Sequence, residues 1–319
     1  DQLDLLACVS KVASHTIVVL SNGSSVGMAE WDDQADAIVE CWLGGQASGS
    51  GVVDVLTGKV NPSGHLAETI AVTLSDIPAQ LNFPGEFQHV TYGEGRYIGY
   101  RGLDVIEREV AYPFGHGLSY TTFDYSDLDL AVRPVTDETA QDESVLTVTF
   151  TISNTVDRTG SAVPQVYLGF PDATVNRCVR ELKAFRRVEL APGKSRSITI
   201  DLTRRDLSYW DILLQSWAVE PGTVRVEVGR SSRDLPLTGV VILDAPTVHH
   251  PPRRDSTVAE WMAADEEFAA KVRRATEQTG IDLDSDPTTA AFILAMPAYK
   301  MLQMAPIMTP EELDEMLGD

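Results

Sequence analysis

Cysteine is scarce in this 319-residue chain: Cys8, Cys41 and Cys178 are too few and too scattered for a disulfide framework. No CxxC pair and no His-rich cluster offers metal-ligand spacing, so no metal and no other cofactor is expected. Basic side chains are also in short supply. Lys and Arg number 25 against 47 Asp and Glu, a formal net charge of −22. With no basic stripe to displace counterions, nucleic acid is excluded as a partner, while neutral substrates such as sugars stay open. No apolar run reaches the roughly 18 residues of a membrane span, so no membrane partner is expected. No signal peptide opens the chain, which with the cysteine count favours a reducing, cytoplasmic location. The chain begins at Asp1, without methionine and in what reads as the middle of a helix, so it looks like a piece of something longer.

What is present is 43% hydrophobic and 23% charged, the composition of a folded globular protein long enough for two or three domains. "LDLLACVSKVA" (3–13) has helical spacing, and "TIVVL" (16–20) reads as a strand buried on both faces, the start of an α/β unit. "QADAIVECWL" (34–43) reads as a second helix and "GGQASGSGVVDVLTG" (44–58) as a third. The latter is no phosphate loop, because it follows a helix and has no Lys. From 125 to 243 the texture becomes short period-two runs such as "SVLTVTFTISN" and "TVRVEVG", separated by turns such as "APGK" and "EPGT". Strands at this spacing without intervening helices make an antiparallel sandwich. A Pro-rich linker (244–255) carries His249 and His250, read as solvated. A helical segment (256–319) follows, with Ser256 or Thr257 as N-cap and Gly280 as a stop for its first helix. Its stretch "AAFILAMPAYKMLQMAPIM" is too apolar to stand in water, and Pro297 and Pro306 cut it into short pieces.

One stretch is unusually dense. "YPFGHGLSYTTF" (112–123) packs four rings, two glycines and a proline into twelve positions. It reads either as aromatics sealing a domain junction or as a platform for a sugar ring.

Three segments together resemble glycoside hydrolase family three, the β-glucosidase and β-xylosidase family. "TIVVLSNGSSVGM" with "AIVECWLGGQASGSGVVDVLTGKVNPSGHLAET" is similar to the carboxyl-terminal half of that family's α/β sandwich domain. "YGEGRYIGYRGLDVIEREVAYPFGHGLSYTTF" resembles its crossover into a fibronectin type III-like domain. "ELKAFRRVELAPGKSRSITIDLTRRDLSYWD" and "VEPGTVRVEVGRSSRDLPL" resemble that last domain. The resemblance implies a multidomain α/β plus all-β fold. A partial α/β sandwich (1–90) and a crossover (91–124) precede a fibronectin type III-like antiparallel β-sandwich (125–243), the linker and a short α-helical tail. It also decides the dense stretch: Tyr112, Phe114, Tyr120 and Phe123 are expected to plug the seam, with Gly115 and Gly117 turning the backbone beneath them. Ser25, Leu43, Gly44 and Ala67 depart from the family's pattern, at turns.

The implied activity is retaining hydrolysis of terminal β-linked sugars, which takes two carboxyl groups about 5–5.5 Å apart. In the family the nucleophile sits on an upstream (β/α)8-type barrel and the acid/base on a glutamate before the helix with which this chain begins. No catalytic residue is therefore expected here. The barrel is the expected partner, a neutral glycoside the substrate, and a homo-oligomer is left open. Within the chain, "EWDD" (30–33) offers Glu30, Asp32 and Asp33, acids that a first helical turn favours anyway. Glu94, in "YGEGRYIGYR", is the in-chain candidate. It lies between glycines with Arg96 and Arg101 near in sequence, and the competing reading is a buried ion pair that fixes the crossover. A different class of function is a non-catalytic carbohydrate-binding or scaffolding fragment.

Overall fold

The structure, a computed structural model, describes residues 1–281, 283–285, 287–304 and 308–317. They form two compact units, one of residues 1–209 and 219–246, the other of residues 210–218 with the chain from 247 onward.

The first unit opens with α1 (Gln2–Val9), capped at Asp1, whose carboxylate accepts the Leu3 N–H while Asp4 reciprocates. β1 (Ile17–Leu20) pairs in parallel with β2 (Ala37–Glu40), Ile17 opposite Ala37 and Leu20 opposite Glu40. The helix expected over 34–43 is thus a strand. Its apolar run is short enough to suit either state, and the β-branched Ile38 and Val39 with a paired neighbour favour extension. Nor is β1 buried on both faces. Val18 and Leu20 pack beside Met28, Trp31 and Ile70, whereas Ile17 and Val19 are 51% and 43% exposed. α2 (Ser48–Leu56) is the expected glycine-opened helix. β3 (Ile70–Ala71) pairs antiparallel with β4 (Val110–Tyr112) around α3 (Tyr100–Val105).

Next come β5 (Phe123–Val132), β6 (Ser144–Asn154), β7 (Gly160–Ala162), β8 (Gln165–Gly169), β9 (Glu181–Phe185), β10 (Val188–Leu190) and β11 (Ser195–Thr203). After α4 (Arg204–Leu207) follow β12 (Tyr209–Asp211), β13 (Ser216–Ala218), β14 (Gly222–Gly229) and β15 (Leu237–Leu243). Antiparallel sheets in the orders β11-β6-β5 and β15-β14-β8-β9 make the sandwich, with β7–β10 a separate pair. Alternation along β6 sends Leu146, Val148, Phe150 and Ile152 inward, all 0% exposed, against Val166, Leu168 and Val226 of the opposite sheet.

In the second unit α5 (Val258–Ala264) and α6 (Glu266–Gln278) replace one long helix. Asp265 stops the first and N-caps the second, accepting the Phe268 N–H at 2.6 Å. Thr257 caps α5 as expected, and Gly280, at φ +77°, follows α6. Pro297 separates α7 (Pro287–Leu294) from α8 (Ala298–Met304), with α9 (Pro310–Met316) beyond; Pro306 lies outside the described residues. Trp261, Phe268, Val272, Met301, Leu302 and Leu313 bury one another. The apolar tail therefore supplies a core within its own unit. His250 is not a solvated linker residue either, because its Nε2 lies 2.5 Å from Asp211 Oδ2 within the same unit.

Candidate functional site

Four places in the first unit gather chemistry-bearing side chains. The first is the crossover loop with Glu94. Arg96 donates to the Asn176 carbonyl, and Arg101 lies over the Tyr100 ring. Neither forms the expected ion pair with Glu94, whose half-buried carboxylate has no hydrogen-bonding or ionic partner among the described residues. The loop ahead of it is apolar and open: Leu81, Phe83, Phe87 and Tyr92 are 94%, 70%, 91% and 86% exposed.

The second is the seam. Phe114 stacks on Tyr100 at 4.7 Å, and Tyr100 meets Tyr167 edge-on at 6.0 Å. Leu182 N–H donates to the Tyr100 hydroxyl, the Tyr120 hydroxyl donates to the Val55 carbonyl, and Phe123 is buried in the sandwich core. Gly115 has φ +80°, and a Cβ there would sit 2.1 Å from Gln165 Oε1; one on Gly117 would sit 2.4 Å from the Gly64 carbonyl oxygen. These rings and glycines join the α/β part to the sandwich, which favours the junction over the sugar platform. Sequence reasoning missed the ion cluster beside it. Asp104, 4% exposed, accepts from Arg180 at 2.9 Å and Arg233 at 3.1 Å, and Arg180 also reaches Glu227 at 3.0 Å. The only local hint is an acid in "YRGLD", while its partners lie 76 and 129 residues away.

The third place is the carboxyl end of the parallel pair, where α/β sheets commonly hold ligands. Glu40 accepts from the Trp42 N–H at 2.8 Å and from Asn22 Nδ2 at 3.2 Å, holding Trp42 at φ +48°. Glu40 also helps burial to push the Cys41 thiol up, away from nucleophilic use. The "EWDD" acids lie elsewhere in this part. Asp32 and Asp33 open a single 3₁₀ turn, as first-turn acids should, and Asp32 accepts the Tyr112 hydroxyl at 3.0 Å. Burial, then that carboxylate, raises the Tyr112 pKa.

The fourth is a pair of histidines, His65 and His116, on a pocket wall described below. Burial lowers both pKa values, His65 adding to the effect on His116. His15, His89 and His249 are exposed. Among the described residues no three His, Cys, Asp or Glu side chains converge as metal ligands.

Comparison with known proteins fits this geometry. Residues 1–120 match the glycosyl hydrolase family 3 C-terminal domain and residues 162–232 a fibronectin type III-like domain. Thermostable beta-glucosidase B of Acetivibrio thermocellus is 37% identical over the whole of this chain and 42% of its own length. Exo-alpha-(1->6)-L-arabinopyranosidase of Bifidobacterium longum is 41% identical over 88% of this chain and 36% of its own. The crystal structure of a GH3 beta-glucosidase from Bifidobacterium adolescentis superimposes with a TM-score of 0.75 at 43% identity, over 85% of this chain and 39% of that one. The chain thus spans about two fifths of these relatives' length. With its two domains matched in order, the chain belongs to glycosyl hydrolase family 3, of which it carries the C-terminal portion.

Proposed function

We propose that this chain works as the carboxyl-terminal part of a retaining β-glycosidase that hydrolyses terminal β-linked sugars, with the nucleophile and acid/base supplied by upstream sequence bearing a (β/α)8-type barrel. The observation that carries the reading is the open apolar loop of Leu81, Phe83, Phe87 and Tyr92. A loop that exposes so many large apolar side chains points to an interaction site, and relatives more than twice as long provide the partner that would cover it. The barrel is therefore a better occupant than a second copy of this chain. Glu94, at the end of that loop, would then abut the barrel without reacting.

The test is hydrolysis of nitrophenyl β-D-glucoside and α-L-arabinopyranoside, the two sugars named for the relatives. It is measured for this chain alone and for the chain with its upstream sequence restored. The chain alone should be inactive, since covalent catalysis and proton donation are both missing, and restoration should give turnover. Turnover by the chain alone that disappears in Glu94→Gln would overturn the reading. A reducing, cytoplasmic location is part of the same proposal, supported by three unpaired cysteines; recovery of the enzyme in a secreted fraction would refute it.

A further inference from the structure

Residues 64–66 and 115–117 run side by side. Leu66 N–H donates to the His116 carbonyl and Gly115 N–H to the Leu66 carbonyl, each at 2.8 Å. The pairing sets His65 and His116 on one wall of a pocket of about 400 Å³, which Ser161, Tyr125 and the Arg230–Asp234 pair also line. That volume falls within the range of sites for small molecules.

Besides the exposed Asp124 carboxylate, and Ser119, Thr121 and Thr122, whose hydroxyls bond within the protein, two sets of polar groups line these walls. Arg230 is spoken for: its Nε and one terminal nitrogen hold Asp234 at 2.6 and 3.0 Å, and the other donates to the Phe123 carbonyl at 3.1 Å. Its charge is thus paired and three of its five N–H donors are directed into protein, which disfavours anion binding. The second set is unused. The His65 Nδ1–H donates to the Ser63 carbonyl at 3.1 Å, which leaves Nε2 as a free acceptor. The His116 ring, the Ser161 hydroxyl and the Tyr125 hydroxyl have no hydrogen-bond partner among the described residues. Burial lowers both imidazole pKa values, which favours the neutral rings. The pocket therefore offers several neutral donors and acceptors beside the apolar surface of Tyr125, Phe123 and Val163. A molecule with hydroxyls around a compact carbon ring matches both.

We propose that this pocket is a binding site for a neutral polyhydroxylated ring of monosaccharide size, held by His65, His116, Ser161 and Tyr125. The proposal stands on the pocket's own chemistry and does not depend on the glycosidase reading.

The test uses the 319-residue chain with ¹⁵N-labelled histidine, titrated with methyl β-D-glucopyranoside, with sorbitol and sodium sulfate as separate arms. Saturable shifts of the His65 and His116 ring nitrogens are expected, with Kd on the order of 1–10 mM. His116→Phe, which keeps a flat ring and removes both ring nitrogens, should weaken binding about tenfold, the loss of about one hydrogen bond. Ser161→Ala, which removes one hydroxyl and little volume, should weaken it about threefold. Melting curves identify any variant that fails to fold, in which case Ser161→Ala and the parent titration decide. Four results would overturn the proposal. They are no saturable shift up to about 50 mM sugar, sorbitol binding as well as the ring, saturation by sulfate, or unchanged affinity in both folded variants.

Discussion

Asp104 is the residue whose removal should cost the first unit most for the fewest atoms lost. Its two oxygens accept from Arg180 and Arg233, so a single carboxylate on α3 fastens the crossover to two places in the sandwich. Truncation in Asp104→Ala leaves both guanidinium groups without it. Breaking a buried pair from one side costs about 3–5 kcal/mol. Arg180 keeps Glu227, at 3.0 Å, and Arg233 keeps the Arg108 carbonyl, at 2.7 Å. Arg233 is also 31% exposed, where water screens the loss. The lower end, about 3 kcal/mol, is therefore expected. For a unit of this size that lowers the melting midpoint by about 6–12 °C.

Differential scanning calorimetry of the chain reads this directly, and limited proteolysis should find new cleavage between residues 81 and 109. A double-mutant cycle with Arg180→Ala separates the pair from general damage, with an expected coupling of about 1–3 kcal/mol. A change of less than about 0.5 kcal/mol in Asp104→Ala, the range of ordinary surface substitutions, would refute the reasoning. Zero coupling to Arg180 would refute the pairwise part of it.

Three further outcomes are expected. Gly115→Ala should destabilise the chain by about 2–5 kcal/mol in urea unfolding, because φ +80° and the 2.1 Å approach of buried Gln165 leave no room for a Cβ. The Asp211 carboxyl is held below its ordinary value by His250 and the Leu213 and Leu214 N–H groups, which together outweigh burial. A depressed folded pKa means that its contribution is complete above the ordinary carboxylate range and is lost as pH falls through the folded value. Fluorescence of Trp210 and Trp217, which meet at 5.2 Å across the paired strands β12 and β13, should therefore stay constant from pH 7 to about 5 and change only in acid below about 4. A change centred near pH 6 would instead assign the transition to histidine. Deleting residues 285–319 should abolish amide protection in α6, whose Phe268 and Val272 lose Met301, Leu302 and Leu313, while β6, β8 and β14 keep theirs.

Strands with one wet face were the easiest part of the fold to read. The alternation along β6 is visible in "SVLTVTFTISN", and the structure buries every second side chain from Leu146 to Ile152. Ile38 and Val39 were misread because four residues cannot display a period, and what makes them a strand is a partner about twenty residues away. The break between α5 and α6 was in principle readable, since "DEE" places an N-cap before two first-turn acids. Helical periodicity on either side masked it. The Asp211–His250 contact spans 39 residues and two kinds of secondary structure, and nothing local announces it.

The same distinction explains why the site was harder to read than the fold. The densest motif in the chain is dense because it is a joint, and apart from the His116 ring its polar side chains are already committed. The hydroxyls of Tyr100, Tyr112 and Tyr120 each hold a protein partner, and Gln165 is spent on the Gly115 and Arg230 carbonyls and the Tyr167 hydroxyl. A group so occupied must break a bond before it can bind anything else, which costs about as much as the new contact returns. Function is better sought among groups with unspent hydrogen-bonding capacity, such as the Glu94 carboxylate, the His116 ring and Nε2 of His65. Glu94 stands out between its glycines, but neither histidine is conspicuous by spacing. Whether a side chain is spent depends on contacts between distant segments, so the sequence shows where the joint is, and only the folded chain shows which groups beside it are still free to act.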